Sequence, residues 1–167
     1  MGMVLTRGNL VELRQQLRKS AQRVVFTNGC FDILHRGHVD YLAKARALGD
    51  ILIVGVNTDA SVRRLKGDGR PIVQEDDRAA VLAALGCIDY VCLFDEETPY
   101  ELIRALVPDI LVKGSDWSIG DIVGKDIVEA AGGAVHTIEF LPNRSTTNII
   151  QKIVHSVVSR SEKKPSE

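Results

Sequence analysis

The chain is poor in the features that mark a secreted, membrane-spanning or nucleic-acid-coating protein. Its three cysteines, Cys30, Cys87 and Cys92, are odd in number and form no CxxC pair. They outline neither a disulfide framework nor a zinc site, and they fit a reducing cytoplasm. No apolar run reaches the roughly 18 residues needed to cross a bilayer, and no secretory h-region opens the sequence, so a soluble cytoplasmic protein is expected. Charge of one sign is missing too. With 21 basic residues against 22 acidic ones, bulk attraction to nucleic acid or a membrane surface is excluded, and any basic function has to be local. Neither GxxxxGK(S/T) nor a GxGxxG after the first strand occurs, which argues against a P-loop kinase and a nicotinamide dehydrogenase.

What is present suits one globular domain. A chain of 167 residues, 45% of them apolar, buries roughly 70% of its unfolded surface without needing staples. Periodicity predicts five short apolar strands at 24–26, 51–56, 90–94, 110–113 and 134–139, separated by segments of helical spacing. Strands this uniformly apolar are expected where both faces of a sheet are covered. The pattern therefore predicts a single Rossmann-like, doubly wound α/β domain with a five-stranded parallel sheet over residues 1–158, followed by a polar tail at 159–167. Asn9, with Glu12 three residues later, predicts the cap of a first helix. After a turn at Pro142 and Asn143, the residues Ile149, Ile150, Ile153, Val154, Val157 and Val158 form the apolar stripe of a last one. Ligands of such sheets sit beyond the carboxyl ends of the strands. The loops at 28–38, 57–59, 113–117 and 144–147 all fall there and converge on one crevice.

The stretch 23–48 organises this plan: a strand, a turn, then a helix with Tyr41, Leu42, Ala45 and Leu48 on one face. His35, Arg36, Gly37 and His38 stand at the helix start, where unpaired N–H groups and the positive end of the helix dipole favour an anion. Ser145, Thr146 and Thr147 stand at the start of the last helix. Alone they read as a simple N-cap, but paired with the first site they offer a second set of donors that a polyphosphate could bridge. His136 and His155 read as structural or exposed. Lys66 and Arg70 belong to a loop at 66–71 broken by two glycines and a proline.

The run NGCFDILHRGH at 28–38 resembles the signature of the cytidylyltransferase-like nucleotidyltransferases, with HxGH intact at His35, Gly37 and His38, and Arg144-Ser145-Thr146-Thr147 resembles their second phosphate motif. Within that superfamily, TNGCFDILHRGHVDYL, LVKGSDW, VGKDIVEAAGG and RSTTNII are similar to the adenylyltransferase branch that makes ADP-heptose from D-glycero-β-D-manno-heptose 1-phosphate. This resemblance covers about residues 9–155. It implies transfer of AMP from ATP to the sugar phosphate with release of pyrophosphate, in the bacterial pathway to the lipopolysaccharide core. It also implies roles. His35, His38, Lys66 and Arg78 would act at the reacting phosphates. Thr27, Asn28, Gly29, Phe31, Asp32 and Gly37 would shape the nucleotide-phosphate pocket. Ser145 and Thr146 would hold the β and γ phosphates, with Arg144 and Thr147 beside them in the nucleotide site, while Lys113, Asp116 and Trp117 would flank the nucleotide or sugar. Arg70 competes with Lys66 for the acceptor phosphate.

Magnesium is expected to accompany ATP, held by phosphate oxygens and water, so no protein metal ligand is expected. The implied partners are ATP, a sugar 1-phosphate, a second copy in a homodimer, and a separate heptose kinase in the same pathway, since the chain has no room for one; nucleic acid and membrane are not among them. Two alternatives stay open: a cytidylyltransferase or FAD synthetase of the same superfamily, which shares the phosphate motifs, and a catalytically silent nucleotide-binding module. The chemistry needs no general base. A phosphate monoester's second pKa lies near 6, so its oxygen is already a nucleophile at neutral pH, and catalysis becomes in-line positioning with stabilisation of the departing charge.

Overall fold

The structure is a computed structural model and describes residues 1–142 and 144–161; Asn143, residues 162–167 and the side chains of Val158, Arg160 and Ser161 lie outside the described residues. The turn expected at Pro142 and Asn143, most of the expected tail and one member of the last apolar stripe therefore fall partly or wholly outside it. The strands are β1 Met3–Val4, β2 Val24–Gly29, β3 Ile51–Asn57, β4 Tyr90–Phe94, β5 Ile110–Gly114 and β6 Ala134–Ile138. The helices are α1 Arg7–Lys19, α2 Arg36–Arg46, α3 Asp59–Lys66, α4 Glu75–Ala83, α5 Tyr100–Leu106, α6 Lys125–Ala130 and α7 Thr146–Ser161. The strands form one parallel sheet in the order β1-β4-β3-β2-β5-β6.

All five expected strands are present, but the sheet has six. The sixth, β1, is two exposed residues paired with Tyr90 and Val91 at the sheet edge, too short to show any periodicity. Four of the five expected strands end one to three residues from the expected position, and two helix boundaries differ as well. The first helix is capped by Thr6, whose hydroxyl accepts the Asn9 N–H at 3.3 Å, not by Asn9 itself. The last helix continues to Ser161, past the expected start of the tail at 159, and Ile153, Val154 and Val157 of its apolar stripe are exposed.

Burial explains why the central strands read as unbroken apolar runs. Successive side chains of a strand point to opposite faces, and here both faces are packed. Val25, Leu52, Val54 and Val56 meet Leu42 and Ala45 of α2 and Leu82 of α4 on one side. Val24, Phe26, Ile53 and Leu111 meet Leu10 and Leu17 of α1 and Leu102, Ile103 and Leu106 of α5 on the other. One buried cation belongs to this second layer. Arg14 of α1 donates from Nε to the Leu106 carbonyl at 3.2 Å and from Nη2 to the Val107 carbonyl at 3.0 Å and to Asp109 Oδ1 at 2.9 Å. It thereby satisfies carbonyls that α5 leaves open at its end, where Val107 takes a left-handed φ of 43°.

Strand order also fixes where a ligand can go. From the central β2 the chain proceeds first towards β3 and β4, then crosses back to β5 and β6, so β2 and β5 flank the point where the winding reverses. Their pairing is short: Val25 with Ile110 and Phe26 with Leu111, against six residue pairs between β2 and β3. Beyond Phe26 the two strands part, and a crevice opens between Asn28–Gly29 and Lys113–Gly114. Among the described residues no helix is long and apolar enough to cross a membrane.

Candidate active site

At the mouth of the crevice, His35 is the N-cap of α2 in an extended conformation (φ −146°, ψ 170°), and its Nδ1 accepts the Gly37 N–H at 3.1 Å. An Nδ1 used as acceptor carries no proton, so the neutral ring keeps its N–H on Nε2, free to donate outward. The His38 ring stacks on it, centroids 3.9 Å apart at 21°, with the Phe31 ring edge-on at 5.4 Å behind. Burial, reinforced by the neighbouring His35, lowers the His38 pKa to about 4. Burial and then the Arg144 charge lower that of His35. Both rings are neutral at physiological pH. His38 Nδ1 is buried without a partner among the described residues, which disfavours a second proton further.

The second phosphate motif docks onto this helix start. A Cβ at Gly37 would stand 2.9 Å from the His35 ring and 3.1 Å from Arg144 Cβ, so glycine there is a condition of the two motifs touching. The Thr146 hydroxyl donates to the Ile33 carbonyl at 3.4 Å. The Ser145 hydroxyl accepts the Asn148 N–H at 3.1 Å and caps α7. Thr147 is exposed one residue further along. Two helix starts of like polarity, those of α2 and α7, thus lie side by side.

Inside the crevice is a cavity of about 150 Å³ whose walls include Asn28, Gly29, Phe31, His38, Lys113, Asp116 and Trp117. Lys113 Nζ donates to Asn28 Oδ1 at 2.5 Å, bridging the gap between β2 and β5, and lies 5.8 Å from the centre of the Trp117 ring. Burial lowers its pKa to about 8 despite the nearby Asp116 carboxylate, so the ammonium survives at neutral pH. Tyr41 and Phe140 complete the walls, their rings 5.3 Å apart. Gly114 lies directly beneath Phe140, where an added Cβ would meet the ring at 2.1 Å.

One expected role needs correction, and two expected residues stand deeper than the pocket surface. Arg78 does not reach the crevice: its side chain is wholly buried, donating from Nε to the Val73 carbonyl at 2.9 Å, from Nη1 to the Cys30 carbonyl at 2.5 Å and from Nη2 to Asp59 at 2.7 Å. With one N–H of each of its three nitrogens engaged and the side chain wholly buried, the guanidinium presents no donor to the crevice. The Thr27 hydroxyl is beneath the floor, 2.7 Å from the Tyr41 hydroxyl. Asp32 is buried as well, accepting from the Ile72 N–H at 2.7 Å, the Val73 N–H at 2.8 Å and Arg70 Nε. Lys66 is exposed at the end of α3. Its charge, with those of Arg78 and Arg70, acts on the Cys30 thiol, whose pKa burial nonetheless raises. Sequence reasoning missed Phe140 as a wall of the pocket and counted Tyr41 only as core. The sole signal for Phe140 is its place just ahead of the second phosphate motif.

A doubly wound sheet with paired helix starts and desolvated donors at its switch point defines a nucleotide-phosphate-binding α/β domain. The profile of the cytidylyltransferase-like family matches residues 26–152, and the chain belongs to that family. Over 135 residues it is 64% identical to the bifunctional protein HldE of Citrifermentans bemidjiense, covering 81% of this chain and 28% of that protein. Over 150 residues it is 56% identical to the bifunctional protein HldE of Wolinella succinogenes, covering 90% and 31%. The chain thus spans about three-tenths of the length of these relatives. Among solved structures, the lipopolysaccharide core biosynthesis protein from Thermoplasma volcanium aligns with a TM-score of 0.59 at 29% identity, over 72% of this chain and 97% of that one. The pantoate-beta-alanine ligase from Francisella tularensis aligns at 0.60 with 15% identity, over 93% and 80%, a likeness of fold alone.

Proposed function

We propose that the domain transfers AMP from ATP to D-glycero-β-D-manno-heptose 1-phosphate, giving ADP-heptose and pyrophosphate. One observation carries the reading: the Arg144–Thr146 segment packs against a helix start bearing two neutral, stacked histidines. That arrangement suits a polyphosphate lying across both motifs. The high identity to the HldE proteins, the name of the Thermoplasma protein and the LVKGSDW and VGKDIVEAAGG segments support heptose 1-phosphate as acceptor.

In the proposed reaction an oxygen of the sugar phosphate attacks the α-phosphorus of ATP. The new oxygen–phosphorus bond forms as the α–β phosphoanhydride bond breaks, and the electron pair leaves on pyrophosphate. His35 Nε2–H, the open N–H groups of α2 and Arg144 donate to the phosphates as that charge grows. Neutral donors suit this better than acids would, because nothing has to be protonated for pyrophosphate to leave. Lys113, Asp116 and Trp117 line the place for the nucleoside, and Lys66 is the cation for the acceptor phosphate.

Magnesium enters this proposal as the counter-ion of ATP. In this proposal phosphate oxygens and water supply its ligands. The proposal also includes a cytoplasmic homodimer and, ahead of this reaction, a kinase acting as a separate catalytic unit to make the 1-phosphate. The test is pyrophosphate release from ATP, magnesium and heptose 1-phosphate by the purified chain. Turnover confined to CTP with glycerol 3-phosphate would replace the proposal with a cytidylyltransferase.

A further inference from the structure

Asp32 sits inside the signature motif, yet all three of its donors belong to another loop. The Ile72 and Val73 N–H groups and Arg70 Nε converge on a carboxylate whose side chain is 1% exposed. Arg78 ties the same two loops a second time, through the Cys30 and Val73 carbonyls, and ties both to Asp59 at the start of α3. The segment from α3 to α4 is therefore fixed at both ends. Its tip is open to solvent: Cβ atoms added at Gly67 or Gly69 would meet nothing within 4 Å, and Lys66 beside them is exposed.

Resting on the reading of Lys66 as the acceptor cation, we propose that Asp32 is a positioning residue that acts through it. By holding Arg70 and the Ile72 and Val73 N–H groups, Asp32 pins residues 70–73 and sets the stem from which Lys66 meets the acceptor phosphate. This goes beyond a share in the pocket floor. Asp32 acts at the acceptor through another loop, while Arg78 independently holds Cys30, on the nucleotide side.

Asn at this position keeps one oxygen for the two backbone N–H groups but turns an NH2 towards Arg70 Nε, a donor against a donor, so Asp32→Asn releases Arg70 with little change of volume. Calorimetry on the full chain would read two affinities: that of a non-hydrolysable ATP analogue alone, and that of heptose 1-phosphate or glycerol 3-phosphate added after it. The loss of a charge-assisted buried contact predicts about tenfold or greater weakening for whichever monoester the wild type binds, with the analogue changed less than about threefold. Arg70→Gln, at a partly exposed side chain, should show the same split even if Asp32→Asn fails to fold. Because Asp32 acts through Lys66, adding Asp32→Asn or Arg70→Gln to Lys66→Ala should weaken the monoester little beyond Lys66→Ala alone. Equal weakening of analogue and monoester, or full additivity with Lys66→Ala, would overturn the proposal, as would a wild type that binds neither monoester. A preference for glycerol 3-phosphate with the split intact would overturn the heptose reading and leave the role of Asp32 standing.

Discussion

Folding stability as a function of pH tests the state of His38 directly. In an unfolded chain a histidine takes up its second proton near 6.5, whereas burial holds His38 neutral until about 4. Between those values the unfolded state binds more protons than the folded one, so stability is complete above the upper value and falls as the pH drops through the window. A shift of this size corresponds to about 3 kcal/mol, and because the ring is only half-buried, solvent screening brings the expected loss to about 2 kcal/mol. His38→Gln keeps a polar side chain that cannot titrate. Urea unfolding of both proteins at about pH 7 and about pH 4.5 should show the wild type losing about 2 kcal/mol more than the variant. Parallel losses would mean that His38 is solvated or already charged, and the description of a neutral, desolvated pair would fail.

Two further substitutions separate site from scaffold. Gly37→Ala forces a methyl group into the gap shared by the His35 ring and Arg144 Cβ. It should weaken an ATP analogue about tenfold by calorimetry, with unfolding free energy changed by less than about 1 kcal/mol since alanine is the better helix former. Arg14→Leu keeps the packing of α1 but takes the buried guanidinium away from the terminal carbonyls of α5, leaving them to Arg18, and from the Asp109 carboxylate, which keeps the Val24 N–H. It should cost about 2–3 kcal/mol in urea unfolding and leave kcat unchanged, because these contacts are at the opposite end of the sheet from the crevice.

Much of this architecture is legible in the sequence because its signals are local. The apolar runs at β2 to β6 report burial on both faces, and the loops at their carboxyl ends mark the crevice before any coordinates are known. The motif at His35–His38 carries its own geometry, since a histidine cap and a glycine two residues later define the start of α2. What the sequence hides are interactions made at a distance. Arg78 and Asp32 have the residue types of a phosphate site, and nothing local says that Arg78 is spent on two carbonyls and Asp59 or that Asp32 anchors residues 70–73. Likewise β1 is two residues whose only reason to be a strand is the edge of β4, and Phe140 becomes a wall of the pocket only because Gly114 lies beneath it.

The central claim is that the two phosphate motifs position ATP for one in-line displacement, with no covalent intermediate. The stereochemistry at the α-phosphorus tests it most directly. With ATP made chiral at that atom by sulfur substitution and heptose 1-phosphate as acceptor, a single displacement inverts the configuration in the ADP-heptose product. Inversion is the predicted result; retention would require two successive displacements through a nucleotidyl-protein intermediate and would contradict the account.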